Sequence, residues 1–530
     1  MLTAYTIDQI RAAESALMAT LPEGTLMERA ATGLAVACAR TLGHVYGSRV
    51  VLLVGGGDNG GDALYAGARL ASRGARVDAI LAGTRVHAAG LAALRRSGGR
   101  VTELGGAVSG EAPAAPPDAG PDAGRTVPAR DAPGGGRTPA RPGRGAVSAA
   151  GELIRAADLV VDGLAGIGGT GALREPYATL AGLAGETAGA VVAVDVPSGV
   201  DAGSGRIDGA VVRADVTVTF GAYKIGSLVD PGAGNAGRLE LVDIGLGPYL
   251  PDPEATALTG ADVARMLPRP DAGSDKYSRG VVGVAAGSHE YTGAAVLAVG
   301  GAIRAGAGLV RYAGVAEPVA QVRARWPEAV ITPLRPDEGI GEVGRVQAWV
   351  LGPGLGTGPE SLALARSVLA SDVPVLVDAD GLTLVAQDRS LLRRAAPVLI
   401  TPHAGELSRL LDVPRAQIEA RRLEHVRRAA SELGVTVLLK GSTTLVAQQG
   451  LPVRANLTGS PWLATGGTGD VLAGLAGALL AGGLSGYDAA SCAAYLHGIA
   501  GRHGPLAAWD VLEAVPGVIR TLADGLRKDG

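Results

Sequence analysis

One phenylalanine, two cysteines, four tryptophans and four methionines are all that this 530-residue chain holds of those types, and aromatic residues amount to 3%. Hydrophobic residues still reach 47%, so its cores must be filled by alanine, valine and leucine. Cys38 and Cys492 lie far apart, each in an alanine-rich apolar segment, which excludes a disulfide framework and a cysteine metal cluster and predicts buried thiols in a reducing compartment. An excess of one charge is missing too: 48 Lys and Arg against 51 Asp and Glu leave a net charge of −3. Without a broad basic field, neither nucleic acid nor an anionic membrane is an expected partner, and any anion site must be local. The apolar run Val471–Leu484 is broken by glycines and too short for a membrane span. Met1–Asp8 lacks the charged and apolar regions of a signal peptide, so the cytoplasm is the expected address.

Glycine, by contrast, numbers 83, and the length exceeds what one core usually organises, so two domains are expected. Gln9–Arg40 reads as helical, with apolar contacts from Met18, Leu26, Met27, Leu34 and Val36 and a break at Pro22-Glu23-Gly24. Strands are predicted at Val50–Val54, Val77–Leu81, Leu159–Asp162, Val191–Asp195, Val216–Phe220 and Leu239–Val242. Their near-continuous apolar character suits strands buried on both faces and predicts a Rossmann-like doubly wound sheet. Residues 105–149 carry almost no large apolar side chain and are predicted to be a disordered insertion, because strands of one sheet flank them. Pro248–Thr259 breaks both periodicities and divides the chain into residues 1–250 and 251–530, each expected to fold alone. The second half is also α/β, with strands predicted at Val281–Ala285, Leu309–Ala313, Trp349–Leu351, Val375–Asp378, Val398–Thr401, Val435–Lys440 and Thr444–Val446.

Chemistry concentrates in glycine-rich turns. Thr465–Gly474 sets Asp470 where a glycine-rich cradle meets an apolar helix, so that N–H groups and the helix N-terminus attract phosphate while the carboxylate can deprotonate a neighbouring hydroxyl. Gly55–Ala63 follows the strand Val50–Val54 as a second phosphate-type turn. Further strand ends carry Asp162 before the loop Gly163–Gly171, and Asp195 before Val196-Pro197-Ser198, where ligands bind in open α/β sheets.

Both turns in one chain resemble the bifunctional NAD(P)H-hydrate repair enzymes, an N-terminal hydrate epimerase fused to a C-terminal, ribokinase-like, ADP-dependent hydrate dehydratase. The epimerase pattern asparagine-asparagine-glycine-glycine-aspartate-glycine reads here Asp58-Asn59-Gly60-Gly61-Asp62-Ala63. The resemblance implies that Asp58, Asn59, Gly60, Gly61 and Asp62 contact the hydrate, together with Asp195 and the loop Gly166, Ile167, Gly168, Gly169, Thr170, Gly171 and Ala172. It implies that Asn59, Asp162 and Ser198 hold a potassium ion, for which amide, carboxylate and hydroxyl oxygens are suitable ligands. Asp195 is the candidate acid/base group; Lys224 either assists it or is a solvated lysine.

In the second half Gly300–Val310 resembles the glycine-rich helix end and turn of ribokinase-like proteins, and the dehydratase resemblance rests on Gly352-Pro353-Gly354-Leu355-Gly356, Thr401–Glu406, Lys440–Thr444 and Gly469-Asp470, with a weaker match at Tyr291–Ala295. It implies hydrate contacts from Ala294, Gly354, Gly356, His403 and Asp470. Lys440, Gly441, Ser442, Thr443, Thr444 and Gly469 would hold ADP, aided by Mg2+. Asp470 would be the catalytic base in phosphorylating the ring hydroxyl of the S hydrate, after which phosphate leaves and NADH or NADPH is restored. A homo-oligomer is expected. Two other readings remain open at this stage: a ribokinase-like small-molecule kinase with a dinucleotide-sensing N-terminal domain, and a noncatalytic scaffold, with which the departures at Asp58 and Ala63 would agree.

Overall fold

The computed structural model describes residues 1–83, 85–104, 144–335 and 338–528. In the first half, seven parallel strands stand in the order Arg100–Glu103, Arg76–Leu81, Arg49–Val54, Leu159–Gly163, Ala190–Val194, Val216–Phe220, Arg238–Val242. The order turns back between Arg49–Val54 and Leu159–Gly163, where Val50 lies opposite Leu159 and Leu53 opposite Asp162. That is the switch point of a doubly wound sheet, and the crevice outside its strand ends is where such folds bind ligands. All six predicted strands are present. Arg100–Glu103 escaped prediction because an edge strand reading Arg-Val-Thr-Glu carries one apolar residue.

Two helices, Ile7–Met18 and Thr25–Leu42, precede the sheet and flank the predicted break. A Thr6/Gln9 capping box starts the first. Met18 and Val36 are exposed rather than in the core, at 52% and 49%. Ala30, Leu34 and Cys38 form the inward stripe instead, spaced four residues apart as an amphipathic helix requires. Cys38 and Cys492 are free, buried thiols as expected, both pushed up to about 12 by burial.

The disordered insertion expected over 105–149 falls outside the described residues as far as 143. Its last residues do not conform to it: Arg144–Arg155 is a helix, and Ala146, Ala150 and Ile154 pack into the core. An i, i+4, i+8 spacing of small and apolar residues was the signal, hidden by the composition of the preceding stretch.

The second half is built on a twelve-stranded sheet. Seven of its strands are mutually parallel, from Val330–Pro333 at one edge through Leu309–Gly314, Val281–Ala285, Ala348–Leu351, Val375–Val377 and Val398–Ile400 to Thr436–Leu439. Thr444–Ala447 and Val453–Asn456 continue it antiparallel. The helix Thr468–Ala481 is buried nearly all round. It lies against Thr292–Arg304 so closely that a Cβ on Gly474 would meet the Ala298 carbonyl oxygen at 2.0 Å, and one on Gly301 the Val471 oxygen at 2.5 Å.

The two halves share this sheet. Leu2–Tyr5 pairs antiparallel with Ala255–Ala257 and parallel with Tyr223–Lys224. Ala4, Ile225, Leu228 and Val229 accordingly belong to the same apolar cluster as Leu439 and Leu445. Independent folding of 1–250 and 251–530, expected from the proline-rich junction, does not follow from such an arrangement.

Candidate active sites

The first site lies at the switch point. Asp58–Asp62 is the opening turn of the helix Asp58–Ser72 rather than a free loop, so its N–H groups sit at a helix N-terminus. Asn59 donates through Nδ2 to the Val194 carbonyl at 2.6 Å, which leaves Oδ1 available as a ligand. Asp162, at the end of its strand and wholly buried, accepts from the Ser198 hydroxyl at 2.7 Å and the Ser198 N–H at 2.8 Å. The Ser198 Oγ in turn accepts from the Ala165 N–H at 2.9 Å. Three strand ends thus bring Asn59, Asp162 and Ser198 together. Burial pushes the Asp162 carboxyl up to about 6 despite the hydrogen bonds from Ser198, so a cation beside it would recover the charged form.

Asp195 follows the next strand in the left-handed region at φ 69, a conformation non-glycine residues rarely hold without a local reason. Its Oδ1 pairs with Lys224 and accepts from Thr219 Oγ1 at 3.1 Å and the Phe220 N–H at 3.2 Å. Lys224 is 1% exposed and donates also to the Phe220 carbonyl at 3.0 Å, so it is a buried ion-pair partner and not a solvated lysine. Asp62 is buried with Oδ1 unpartnered among the described residues, and burial, then the charges of Asp195, Asp58 and Glu14, hold its carboxyl well above the ordinary range. Glu14, from the first helix, is raised chiefly by burial. It belongs to this carboxylate group, yet no motif contains it.

Gly166, Gly169, Thr170, Gly171 and Ala172 line a cleft of about 370 Å³ with Tyr177, Asp201 and Arg206; Ile167 and Gly168 do not line it. Asp58 lines a different cleft, with Met27, Tyr65 and His87. Ala63 faces neither: it is buried against Gly163, whose missing side chain makes room for the methyl.

The second site gathers the C-terminal ends of adjacent parallel strands. Asp378, Lys440 and the residues around Gly352 and His403 all sit there, while Asp470 lies in the first turn of Thr468–Ala481 after Gly467. Lys440 Nζ is 2.8 Å from Asp378 Oδ1 and 3.7 Å from Glu406 Oε2. Burial opposes its charge, but Asp378, Glu406 and Asp470 outweigh burial and raise it. Burial, then the Asp378 charge, push Asp470 up to about 7, against the pull of Lys440. Asp378 and Glu406 were not singled out from sequence; a carboxylate directly after a buried strand, as at Asp162 and Asp195, was the available signal for Asp378.

Ala294 and Gly354 are in contact, a Cβ on Gly354 falling 2.7 Å from that of Ala294, and the Gly356 N–H donates to Asp380 at 2.9 Å. His403 caps a helix, its Nδ1 accepting from the Gly405 and Glu406 N–H groups at 2.9 and 3.2 Å. Of the expected nucleotide-holding residues, Gly469 and Lys440 meet, since a Cβ on Gly469 would lie 3.6 Å from Lys440 Nζ. The others are engaged elsewhere: Ser442 Oγ and the Thr443 N–H bond Asp230, and Thr444 Oγ1 donates to the Gly441 carbonyl. His497, pushed down to about 4 by burial and therefore neutral, donates to the Thr468 carbonyl at 2.9 Å and braces the cradle. Its place in an alanine-rich helix gave no hint of this.

Residues 23–226 match a family described as the YjeF-related protein N-terminus, and residues 282–514 one described as NAD(P)H-hydrate dehydratase. The chain is 44% identical to the bifunctional NAD(P)H-hydrate repair enzyme Nnr of Mycobacterium tuberculosis, over 92% of this chain and 91% of that one. The chain belongs to the bifunctional NAD(P)H-hydrate repair enzymes. It is 34% identical to the bifunctional NAD(P)H-hydrate repair enzyme Nnr of Moorella thermoacetica, over 99% of this chain and 97% of the relative. Among solved structures, an ADP/ATP-dependent NAD(P)H-hydrate dehydratase from Bacillus subtilis, co-crystallised with ATP and Mg2+, is 30% identical, with a TM-score of 0.46, covering 50% of this chain and 98% of that one.

Proposed function

We propose that the two sites divide the repair between them: the first interconverts the R and S forms of hydrated NADH or NADPH, and the second dehydrates the S form with ADP. The observation that carries the second assignment is Asp470, a carboxylate raised to about 7 at a glycine-led helix start, beside Lys440 and Asp378. A base titrating near neutrality is matched to taking a hydroxyl proton. Asp470 removes that proton, and the oxygen attacks the terminal phosphorus of ADP. The bond to AMP breaks while Lys440 and the N–H groups of the Gly466–Gly469 cradle stabilise the transferred charge. The ring nitrogen's lone pair then expels phosphate, and loss of the neighbouring ring proton restores the double bond. Mg2+ would be held by the phosphates with the neighbouring carboxylates Asp378 and Asp470, and would supply neutralising charge for the transferred phosphoryl group.

In the first site Asp195 holds or moves the proton at the epimerising centre, with Lys224 stabilising its carboxylate. Asn59 Oδ1, the Asp162 carboxylate and the Ser198 hydroxyl form an all-oxygen set suited to potassium, which would supply a fixed positive charge tying three strand ends together. The test is to incubate hydrated NADH with ADP or ATP, in potassium or choline buffer, and follow the restored dihydronicotinamide absorbance. ADP-dependent recovery of both epimers in potassium, and of the S form alone in choline, is expected. Recovery independent of nucleotide would refute the second assignment, and full recovery in choline would refute the ion.

A further inference from the structure

The turn Lys440–Thr443, from which the second site's lysine projects, is clamped from two directions. From within its own half, Arg422 donates through Nη2 to the carbonyls of Leu439 at 3.2 Å, Lys440 at 3.1 Å and Thr443 at 3.2 Å. The guanidinium lies where a Cβ on Gly441 would come within 2.3 Å of it, so a side chain there would have to displace the clamp. From the other half, a single oxygen of Asp230 accepts both the Ser442 hydroxyl and the Thr443 N–H, each at 2.6 Å. Charge-assisted bonds this short are among the stronger ones a side chain makes.

Asp230 ends the segment that begins with Tyr223–Lys224. Lys224 is the ion-pair partner of Asp195 in the first site. Between the two ends, Ile225, Leu228 and Val229 are buried with Leu439 and Leu445, the apolar residues flanking the clamped turn. One short stretch of the first half therefore reaches from one site to the other, and it is anchored by packing at its centre.

We infer that Asp230 is a positioning residue for the second site: it fixes the Lys440 turn, so the ADP affinity of the second half depends on the first. Arg422 fixes the carbonyls of the turn, but without Asp230 the Ser442 hydroxyl and Thr443 N–H lose their acceptor, and Lys440 loses its fixed position over the cradle. The inference rests on the reading of the second site as ADP-using.

The test compares full-length wild type with Asp230→Ala, Asp230→Asn and Asp230→Ala/Ser442→Ala, using ADP with the S hydrate. Loss of hydrogen bonds to a charged acceptor corresponds to roughly tenfold or more in affinity. The KM for ADP should therefore rise roughly tenfold in Asp230→Ala, and kcat should fall with it, because the displaced Lys440 no longer stabilises the transferred charge. Epimerisation should stay at its wild-type rate, and the melting temperature should fall only modestly, from the Thr443 N–H left without its acceptor. Asp230→Asn, which keeps an acceptor oxygen, should recover most of the loss, and the double variant should be no worse than the single one. An unchanged KM for ADP, or a parallel fall in both activities with the melting temperature, would overturn the positioning role while ADP-dependent turnover by wild type upholds the site assignment. No ADP-dependent turnover by wild type would overturn both.

Discussion

The first site is closed and the second is open. Asp162, Ser198, Asp195 and Lys224 are each no more than 5% exposed, and each has its charge or hydroxyl partnered inside the protein. Around Asp470, the Lys440 side chain is 22% exposed and that of His403 55%. A closed site makes its chemistry part of the core, so a substitution there should cost folding as well as turnover. In the second site Lys440 is paired with Asp378, but Asp470 is only half-buried beside that pair, and its substitution should cost turnover alone.

The largest effect is expected from Asp470→Asn, which keeps size and removes basicity. Dehydration of the S form should slow about a hundredfold to ten-thousandfold, with ADP binding by calorimetry and the melting temperature unchanged. A large stability loss would break the comparison. Lys224→Met should abolish epimerisation and also destabilise the chain by about 3–5 kcal/mol, because it leaves Asp195 buried and unpaired; urea unfolding measures it. Loss of epimerisation with no loss of stability would mean that the pair is more solvated than its burial implies.

Smaller effects come through titration. The acid limb of kcat/KM for dehydration should lie near pH 7, the rate rising as Asp470 loses its proton; Asp378→Asn removes a charge that raises Asp470 and should move that limb to lower pH. In the first site, the raised Asp62 carboxyl contributes stability that is fully present below its unfolded value and is lost as pH rises through the folded one. Asp62→Asn should flatten that decline, which urea melts at pH 4, 6 and 8 would record. Val36→Ala, on the exposed side of its helix, should change stability by no more than about 0.5 kcal/mol.

Strand positions were legible because parallel strands buried on both faces read as unbroken apolar runs, and the site residues at their ends followed from where those runs stop. Asp162 and Asp195 were singled out that way, and Asp470 by the glycine-rich turn that opens its helix. What was hidden lay in long-range pairings. Glu14 joins the first site from a helix with no motif, His497 supports the cradle from an alanine-rich segment, and Asp230 reaches Ser442 across 212 positions of sequence. Local patterns also misjudged faces: Met18 and Val36 are apolar yet exposed, and the methyl of Ala63 points into the core and not at a ligand.

The central claim is that two separate sites act in sequence on one substrate, and trans-complementation tests it most directly. Asp162→Ala and Asp470→Asn proteins are each given pure R hydrate with ADP and potassium, under conditions without spontaneous epimerisation, and then mixed. Neither should restore NADH alone over the time in which wild type finishes, and the mixture should restore it. Recovery by either protein alone, or none by the mixture although Asp162→Ala still dehydrates the S form, would contradict the account.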